Sequence, residues 1–245
     1  MNNEISKLRE ILNQGEIVFF GGAGVSTESN IPDFRSEDGL YNQKYDYPVE
    51  VILSHSFFMK KPKEFYRFYM DKLIGEGYLP NAAHKVLARL ENEGKLISIV
   101  TQNIDGLHQM AGSRNVYELH GSTYRNYCMK CHKKYGINDM LKFKKEKVEL
   151  PTCECGGIIK PDVVLYEEGL SEEVLEGSID SMRVANTLIV AGTSLTVYPA
   201  AGLIRYFNGD NLVLINRDST SVDKNADLVI HDSVGKVLEE AYGLV

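Results

Sequence analysis

The chain has 245 residues, 43% of them hydrophobic and 25% charged, with a formal net charge of -7. That size and balance suit a soluble globular enzyme built as one large domain, or as one domain with a small insertion. The longest apolar runs are far too short to span a bilayer, and residues 1–14 lack a signal-peptide apolar block. No Lys/Arg run is long enough to follow a nucleic-acid backbone. A cytoplasmic protein without direct nucleic-acid or membrane contact is therefore expected, and its acidity favours basic partners such as lysine-containing peptides.

In chain order, residues 1–14 carry Glu4, Lys7 and Glu10 along an amphipathic helix. Residues 17–20 are branched or aromatic without a charge, the pattern of a buried strand. Gly21, Gly22 and Gly24 then let the backbone turn sharply and approach a ligand. Ser26 and Thr27 place hydroxyls where a helix should begin, and helix N-termini attract phosphate. This predicts a nucleotide site. The usual dinucleotide fingerprint would have a third glycine, which is missing here. The loop runs on instead into Ile31-Pro32-Asp33-Phe34-Arg35, joining the phosphate turn to an acid, an aromatic ring and a guanidinium.

Residues 36–80 are rich in aromatics and predict a helical lobe, with a helix over 62–74 and another following over 82–93. A strand over 96–100 leads into Thr101-Gln102-Asn103-Ile104-Asp105-Gly106-Leu107-His108. Its amides and acid suit a neutral amide or a ribose, although Asp105 also reads as a plain N-cap for Leu107 onward. The next strand, 116–119, delivers His120 and Gly121. Residues 122–162 break the pattern, with every cysteine, many lysines and little periodicity, and predict a small inserted module. Beyond it come a helix over 172–185, a strand over 188–191 with Gly192-Thr193-Ser194-Leu195, and a helix over 200–207. A strand over 212–215 ends in Asn216-Arg217, and a strand over 228–230 precedes a helix over 234–242. Buried strands alternating with helices predict a parallel α/β sheet, whose ligands bind beyond the carboxyl ends of the strands. Five polar segments would gather at that edge: 21–27, 101–105, 120–121, 192–194 and 216–217.

Cys128-x-x-Cys131 and Cys153-x-Cys155 are two thiol pairs on tight knuckles, and four thiolates surround one zinc tetrahedrally. Disulfides are disfavoured in the cytoplasm. With all four positions taken by sulfur, no place remains for water, so the metal should be structural. His120 follows a strand end and can act as a general base near neutral pH. His108 falls in a predicted helix and reads as packing or a cap. The Lys142–Lys147 cluster, interrupted by Glu146, reads as a solvated face or loop.

Taken in order, these segments resemble the sirtuins, NAD-dependent protein-lysine deacylases. The match runs through Gly22-Ala23-Gly24-Val25-Ser26, Ile31-Pro32-Asp33-Phe34-Arg35, Thr101 to His108, His120-Gly121, both cysteine pairs, Gly192-Thr193-Ser194-Leu195 and Asn216. It covers essentially the whole chain and suggests a bacterial member confined to the catalytic core. The resemblance implies a Rossmann-like parallel sheet domain with a small zinc-binding module at 122–162 and a helical insertion lobe at 36–80. It implies that Gly22, Ala23, Gly24, Thr27, Phe34, Arg35, Gln102, Gly192, Thr193, Ser194, Asn216, Arg217, Asp232 and Val234 bind NAD. Asn103, Ile104 and Asp105 would line the nicotinamide pocket, with Asp105 holding the carboxamide. His120, Asn103 and Asp105 would be catalytic, His120 as general base.

The implied reaction moves an acetyl or other acyl group from lysine to ADP-ribose and releases nicotinamide. A peptide substrate would lie as an added strand between the 192–195 loop and Val163-Val164. An ADP-ribosyltransferase or NAD hydrolase on the same fold is the alternative, and a monomer is the expected state. Three positions depart from the family pattern. Asn30 replaces the usual glycine before Ile-Pro, and Tyr166-Glu167-Glu168 replaces the common Phe-Gly-Glu. Tyr66 is followed three residues later by Tyr69 where succinyl- and malonyl-preferring members carry arginine, which disfavours those acyl groups.

Overall fold

A computed structural model describes residues 2–33 and 45–243. Helix α1 (Asn2–Gln14) leads into β1 (Ile17–Gly21). Three helices of the lobe follow, α2 (Val49–Ile52), α3 (His55–Lys60) and α4 (Pro62–Lys72), then α5 (Ala82–Asn92), β2 (Leu96–Thr101), α6 (Leu107–Met110) and β3 (Val116–Glu118). The cysteine segment contains β4 (Gly121–Cys128), β5 (Lys134–Gly136), α7 (Ile137–Lys145) and β6 (Ile159–Val163). The chain closes with α8 (Glu172–Val184), β7 (Thr187–Ala191), β8 (Asn211–Ile215), β9 (Leu228–Ile230) and α9 (Val234–Tyr242).

All six strands foreseen from apolar runs enter one parallel sheet of order β3-β2-β1-β7-β8-β9. The chain builds outward from β1 in one direction, then returns beside β1 and builds outward in the other. The switch point falls between β1 and β7, the place where such sheets open a crevice for ligands. Period-2 alternation sorts each strand's residues onto two faces. Ile17, Phe19, Ile99, Ile189 and Val213 pack against α1, α5 and α9. Val18, Phe20, Val100, Leu188, Val190 and Leu214 pack on the other face, against Met182 of α8 and a 3-10 helix, Ala200–Tyr206. All of these strand residues are buried.

The cysteine segment is more ordered than its sequence suggests. β4 pairs antiparallel with both β5 and β6, and α7 packs beside them. Of the lysine cluster read as a solvated face or loop, Lys142, Lys144 and Lys145 lie in the last turn of α7, where they meet the negative end of the helix dipole. Lys144 Nζ donates to the Ile74 carbonyl at 2.5 Å, and Lys145 pairs with Glu76 at 3.1 Å, so the cluster fastens the module to the lobe. The two insertions also share one core, in which Phe57, Phe58, Phe65, Tyr66 and Tyr69 of the lobe meet Cys128, Met140, Cys153 and Ile159 of the module. The Tyr66 hydroxyl donates to the Ile159 carbonyl across that boundary. Among the described residues, no helix is long and apolar enough to cross a membrane.

Candidate active site

The carboxyl ends of β1, β2, β3, β7 and β8 open into a single cleft of about 1330 Å³ that continues between the lobe and the cysteine module. Its floor is set by how closely two loops approach. A Cβ on Gly22 would fall 2.7 Å from the Gly192 carbonyl oxygen, and one on Gly24 would fall 2.7 Å from the Gly192 Cα. Because neither glycine has a Cβ, Gly22 N can donate to Ala191 O at 3.1 Å and Gly24 N to Gly192 O at 2.8 Å.

No α-helix starts at Ser26, contrary to the sequence expectation. The chain makes two 3-10 turns, Ala23–Val25 and Thr27–Ser29, and neither has a side-chain cap. They end at Asn30, which adopts the left-handed conformation (φ 63°) that the family's glycine would take. With no helix to cap, Ser26 turns inward. Its hydroxyl donates to Asp105 Oδ2 at 2.7 Å and accepts from Asn103 Nδ2 at 3.1 Å, while the residue is almost fully buried. Thr27 Oγ1 donates to the Gly24 carbonyl at 3.0 Å.

Asp105 precedes Gly106, the N-cap residue of α6, and both of its carboxylate oxygens accept hydrogen bonds. Oδ1 accepts the Leu107 N–H at 3.0 Å, and Oδ2 faces Ser26. Burial pushes its carboxyl above the ordinary aspartate value, and the Ser26 and Leu107 bonds oppose that rise. His120 Nδ1 lies 3.0 Å from the Gln102 carbonyl. A carbonyl only accepts, so Nδ1 carries the proton and Nε2 keeps its lone pair. Burial lowers the imidazole below its ordinary value, with partial recovery from the Gln102 bond, so it is neutral at neutral pH. The strand that delivers His120 also braces the acid-bearing segment. Leu119 N donates to Thr101 O at 2.9 Å, and Thr123 donates to Ile104 O through both N (3.0 Å) and Oγ1 (2.9 Å).

On the far side, Gln102 Nε2 donates to Thr193 Oγ1 at 3.1 Å, and Thr193 N donates to Asn216 Oδ1 at 2.9 Å. That leaves Asn216 Nδ2 buried with no protein partner, a donor aimed at something the fold does not supply. Ala23, Gly24, Thr27, Gln102, Asn103, Ile104, Asp105, His120, Gly192, Thr193, Ser194, Asn216, Arg217, Asp232 and Val234 all line the cleft. Gly22 lies behind it as packing, and Asp232 already pairs with Lys236 at 2.6 Å. Phe34 and Arg35 lie outside the described residues.

The other histidines serve structure. His108 packs against His84 at 4.7 Å and edge-on to Phe19, and His84 completes a capping box with Asn81. His55 pairs with Glu168 at 2.8 Å, His231 Nδ1 meets the Asn216 carbonyl at 3.1 Å, and His132 takes a left-handed turn within the cysteine knuckle.

Glu167 and Glu168 close the cleft wall rather than disturb it. Glu167 adopts the left-handed backbone expected of the family's glycine (φ 77°), and its carboxylate receives Ser56 N at 2.8 Å and Ser56 Oγ at 3.0 Å. Glu168 takes Lys160 Nζ at 3.1 Å and Leu165 N at 2.9 Å in addition to His55. The Val163–Leu165 wall is thereby tied to the start of α3, and Val164 N donates to the His120 carbonyl at 3.0 Å.

The four cysteine sulfurs lie within 4.8 Å of one another and form no disulfide. Backbone N–H groups of Lys130 and Cys131 point at Cys128 Sγ (3.3 and 3.5 Å), and the Cys155 N–H and the Tyr135 hydroxyl favour the Cys153 thiolate, lowering it to about 6. Four convergent thiolates with their charge partly met by amides suit a tetrahedral zinc ion.

A model of the Sir2 family matches residues 22–199. A Clostridium acetobutylicum protein named NAD-dependent protein deacetylase is 58% identical over 97% of this chain and 96% of its own length. A Clostridium perfringens protein of the same name is 60% identical over 97% and 98%. Among solved structures, a Sir2 enzyme studied for mechanism and regulation superposes with a TM-score of 0.88 at 39% identity, covering 99% of this chain and 97% of that one. Another, a Sir2 variant with deacetylated p53 peptide and 3'-O-acetyl-ADP-ribose, gives 0.87 at 37% identity over 99% and 100%.

Proposed function

The chain belongs to the Sir2 family, and from that premise we propose how its own residues act as an NAD-dependent protein-lysine deacetylase. One observation carries the assignment of roles: His120, with its tautomer set by the Gln102 carbonyl, shares a cleft with the Ser26–Asn103–Asp105 network. NAD fits this chain. Gly22 N and Gly24 N are spent on Ala191 O and Gly192 O, so the turn offers a diphosphate the backbone at Ala23, which lines the cleft, and the orphaned Asn216 Nδ2 suits a ribose hydroxyl. When bound, NAD supplies an activated ribose that takes the acyl group as nicotinamide leaves.

Asp105, held by Ser26, receives the carboxamide N–H₂, while Asn103 and Ile104 shape the rest of the pocket. Ala23, Gly24 and Thr27 contact the phosphates, and Gln102, Thr193, Ser194, Asn216 and Arg217 contact the ribose side. Asp232 and Val234 border the adenosine end, with Phe34 and Arg35 assigned to the reacting ribose. His120 Nε2 accepts a proton from a ribose hydroxyl, a role open to it because burial keeps the ring neutral. The peptide pairs as a strand between the Gly192–Leu195 backbone and Val163-Val164, so recognition of its main chain tolerates varied sequences. Cys128, Cys131, Cys153 and Cys155 hold one structural zinc in the module at 122–162, packed on the lobe at 36–80. The proposed setting is a cytoplasmic monomer.

The acyl end of the cleft supports acetyl or longer apolar groups. Tyr69, Leu73, Ile137, Leu141 and Leu165 line it, and its cations Lys72 and Lys145 already carry Asp71 (3.2 Å) and Glu76 (3.1 Å). Acetyl-peptide should outpace succinyl-peptide, and the reverse order would refute this specificity. The function itself is tested by mass spectrometry of an acetyl-lysine peptide with and without NAD. Free lysine peptide, nicotinamide and O-acetyl-ADP-ribose are expected with NAD only. Free acetate, or ADP-ribose on the peptide, would instead indicate hydrolysis or the ADP-ribosyltransferase alternative.

A further inference from the structure

The wall of the cleft beside Asp105 contains a residue that none of the assignments above uses. Tyr124 stands on β4, four residues after His120, and lines the cleft while remaining 39% exposed. Its ring lies against the backbone of Gly106, where a Cβ would fall 2.8 Å from Tyr124 Cε2. Gly106 holds a left-handed conformation (φ 68°) directly after Asp105, so the acid's turn and the ring are fitted to each other. Met110, at the end of α6 and 46% exposed, lines the same side. Immediately before the ring, Thr123 grips the Ile104 carbonyl with two bonds. The 120–124 segment therefore meets the 102–106 segment at three successive points: His120 on Gln102, Thr123 on Ile104, and Tyr124 on Gly106.

We propose that the Tyr124 ring is the outer wall of the nicotinamide pocket and positions the Asp105 turn, so that it governs how well free nicotinamide is retained and re-enters. The inference rests on the assignment of Asp105 to the carboxamide. Two observations join on it. The ring packs on the turn that presents Asp105, and it borders both the cleft and solvent. The phenol, raised by burial and then by the Asp105 charge, stays neutral and adds no competing anion to the pocket. An aromatic wall suits this leaving group, because a flat neutral heteroaromatic packs well against a ring. The hydrogen bonds to Asp105 Oδ1 and Oδ2 come from Leu107 N and Ser26 Oγ, not from Tyr124, and each oxygen keeps a second lone pair for a ligand. Tyr124 is therefore a positioning residue, with the ring rather than the hydroxyl as the working part.

The test compares the parent with Tyr124→Ala and Tyr124→Phe as full chains. Nicotinamide inhibition of deacetylation, exchange of labelled nicotinamide into NAD, the KM for acetyl-peptide and the melting temperature are measured together. Tyr124→Ala should raise the half-inhibitory nicotinamide concentration about fivefold, the scale of one lost aromatic contact. Its peptide KM and melting temperature should match the parent, and Tyr124→Phe should match the parent throughout. Unchanged inhibition in Tyr124→Ala would overturn the proposal. So would an equal rise in peptide KM, which would mark a general deformation, or a Phe variant as insensitive as Ala. A parent that neither consumes NAD nor exchanges nicotinamide would overturn the assigned function along with the wall. A parent that does both, with an unaffected Ala variant, would overturn the wall alone.

Discussion

The sheet edge and the cysteine module solve the problem of holding polar groups in place by opposite means. At the sheet edge, side chains bond to backbone atoms of neighbouring strands: His120 to Gln102, Thr123 to Ile104, Asn216 to Thr193. The contacts rest on a parallel sheet whose central strands β1 and β7 are buried throughout, so losing one leaves the frame intact. The module's polar centre is four thiols gathered from two knuckles across a short antiparallel sheet. With the zinc proposed above, its geometry would depend on a single shared ion. One region spreads its order over many bonds, whereas the other concentrates it, and substitutions should reveal that difference.

The largest effect is expected in the module. Structural zinc binding is worth about 10–16 kcal/mol of folding free energy in small domains. Cys128→Ser or prolonged chelation should release one zinc per chain and unfold 122–162. Because the lobe shares that core, the lobe should loosen with it while the parallel sheet persists. Metal analysis with hydrogen exchange checks this, and protection lost equally across both regions would erase the contrast. At the sheet edge, Ser26→Ala removes the donor to Asp105 and should lower kcat/KM for NAD about tenfold, with peptide KM and melting temperature unchanged. A change in peptide KM alone would detach Ser26 from the cofactor pocket.

Acid should expose a weakness beneath the sheet edge. Burial lowers His84 to about 4 and lowers His108 in the same direction, with the His84 charge adding to it. The unfolded chain then binds more protons than the folded one between about pH 6.5 and 4. Stability from these rings is fully present above about pH 6.5 and is lost as pH falls through that window. Melting temperatures followed from pH 8 to 4.5 should hold flat and then decline below about pH 6.5, and a flat profile across the whole range would contradict the buried neutral pair. The smallest effect belongs to Asn30→Gly. It relieves a left-handed asparagine at the cost of a freer unfolded chain, so stability should shift by less than about 1 kcal/mol with activity retained. A large loss on thermal melting would assign the Asn30 side chain a structural bond.

The same contrast explains what was legible beforehand. Buried strands such as β7 have no polar residue between Leu188 and Ala191 to blur them, and they fixed the sheet and its ligand-binding edge. The module's strands are mixed in polarity, even β4, which runs for eight residues from Gly121 to Cys128. In α7 the apolar Ile137, Met140 and Leu141 are interleaved with polar residues, and the lysines that read as a solvated face or loop terminate the helix. The expected helix at Ser26 failed because the close approach of Gly22 and Gly24 to Gly192 bends the chain into 3-10 turns. For the same reason Ser26 turned out to serve Asp105 instead of a helix end. Contacts between distant segments, such as Thr123 on Ile104 and Glu167 on Ser56, have no signature in one sequence. His120 and Asp105 were singled out without them, because the segments that carry both follow strand ends and gather at one edge of the sheet.

The central claim is that the sheet edge separates two tasks, Asp105 serving nicotinamide departure and His120 the later proton transfer. Labelled nicotinamide exchange into NAD and acetyl-peptide deacetylation, measured side by side in His120→Tyr, test it directly. Deacetylation should fall at least about 100-fold, the usual scale for a lost general base, while exchange stays within about tenfold of the parent. Equal loss of both rates, or deacetylation that persists, would contradict the separation.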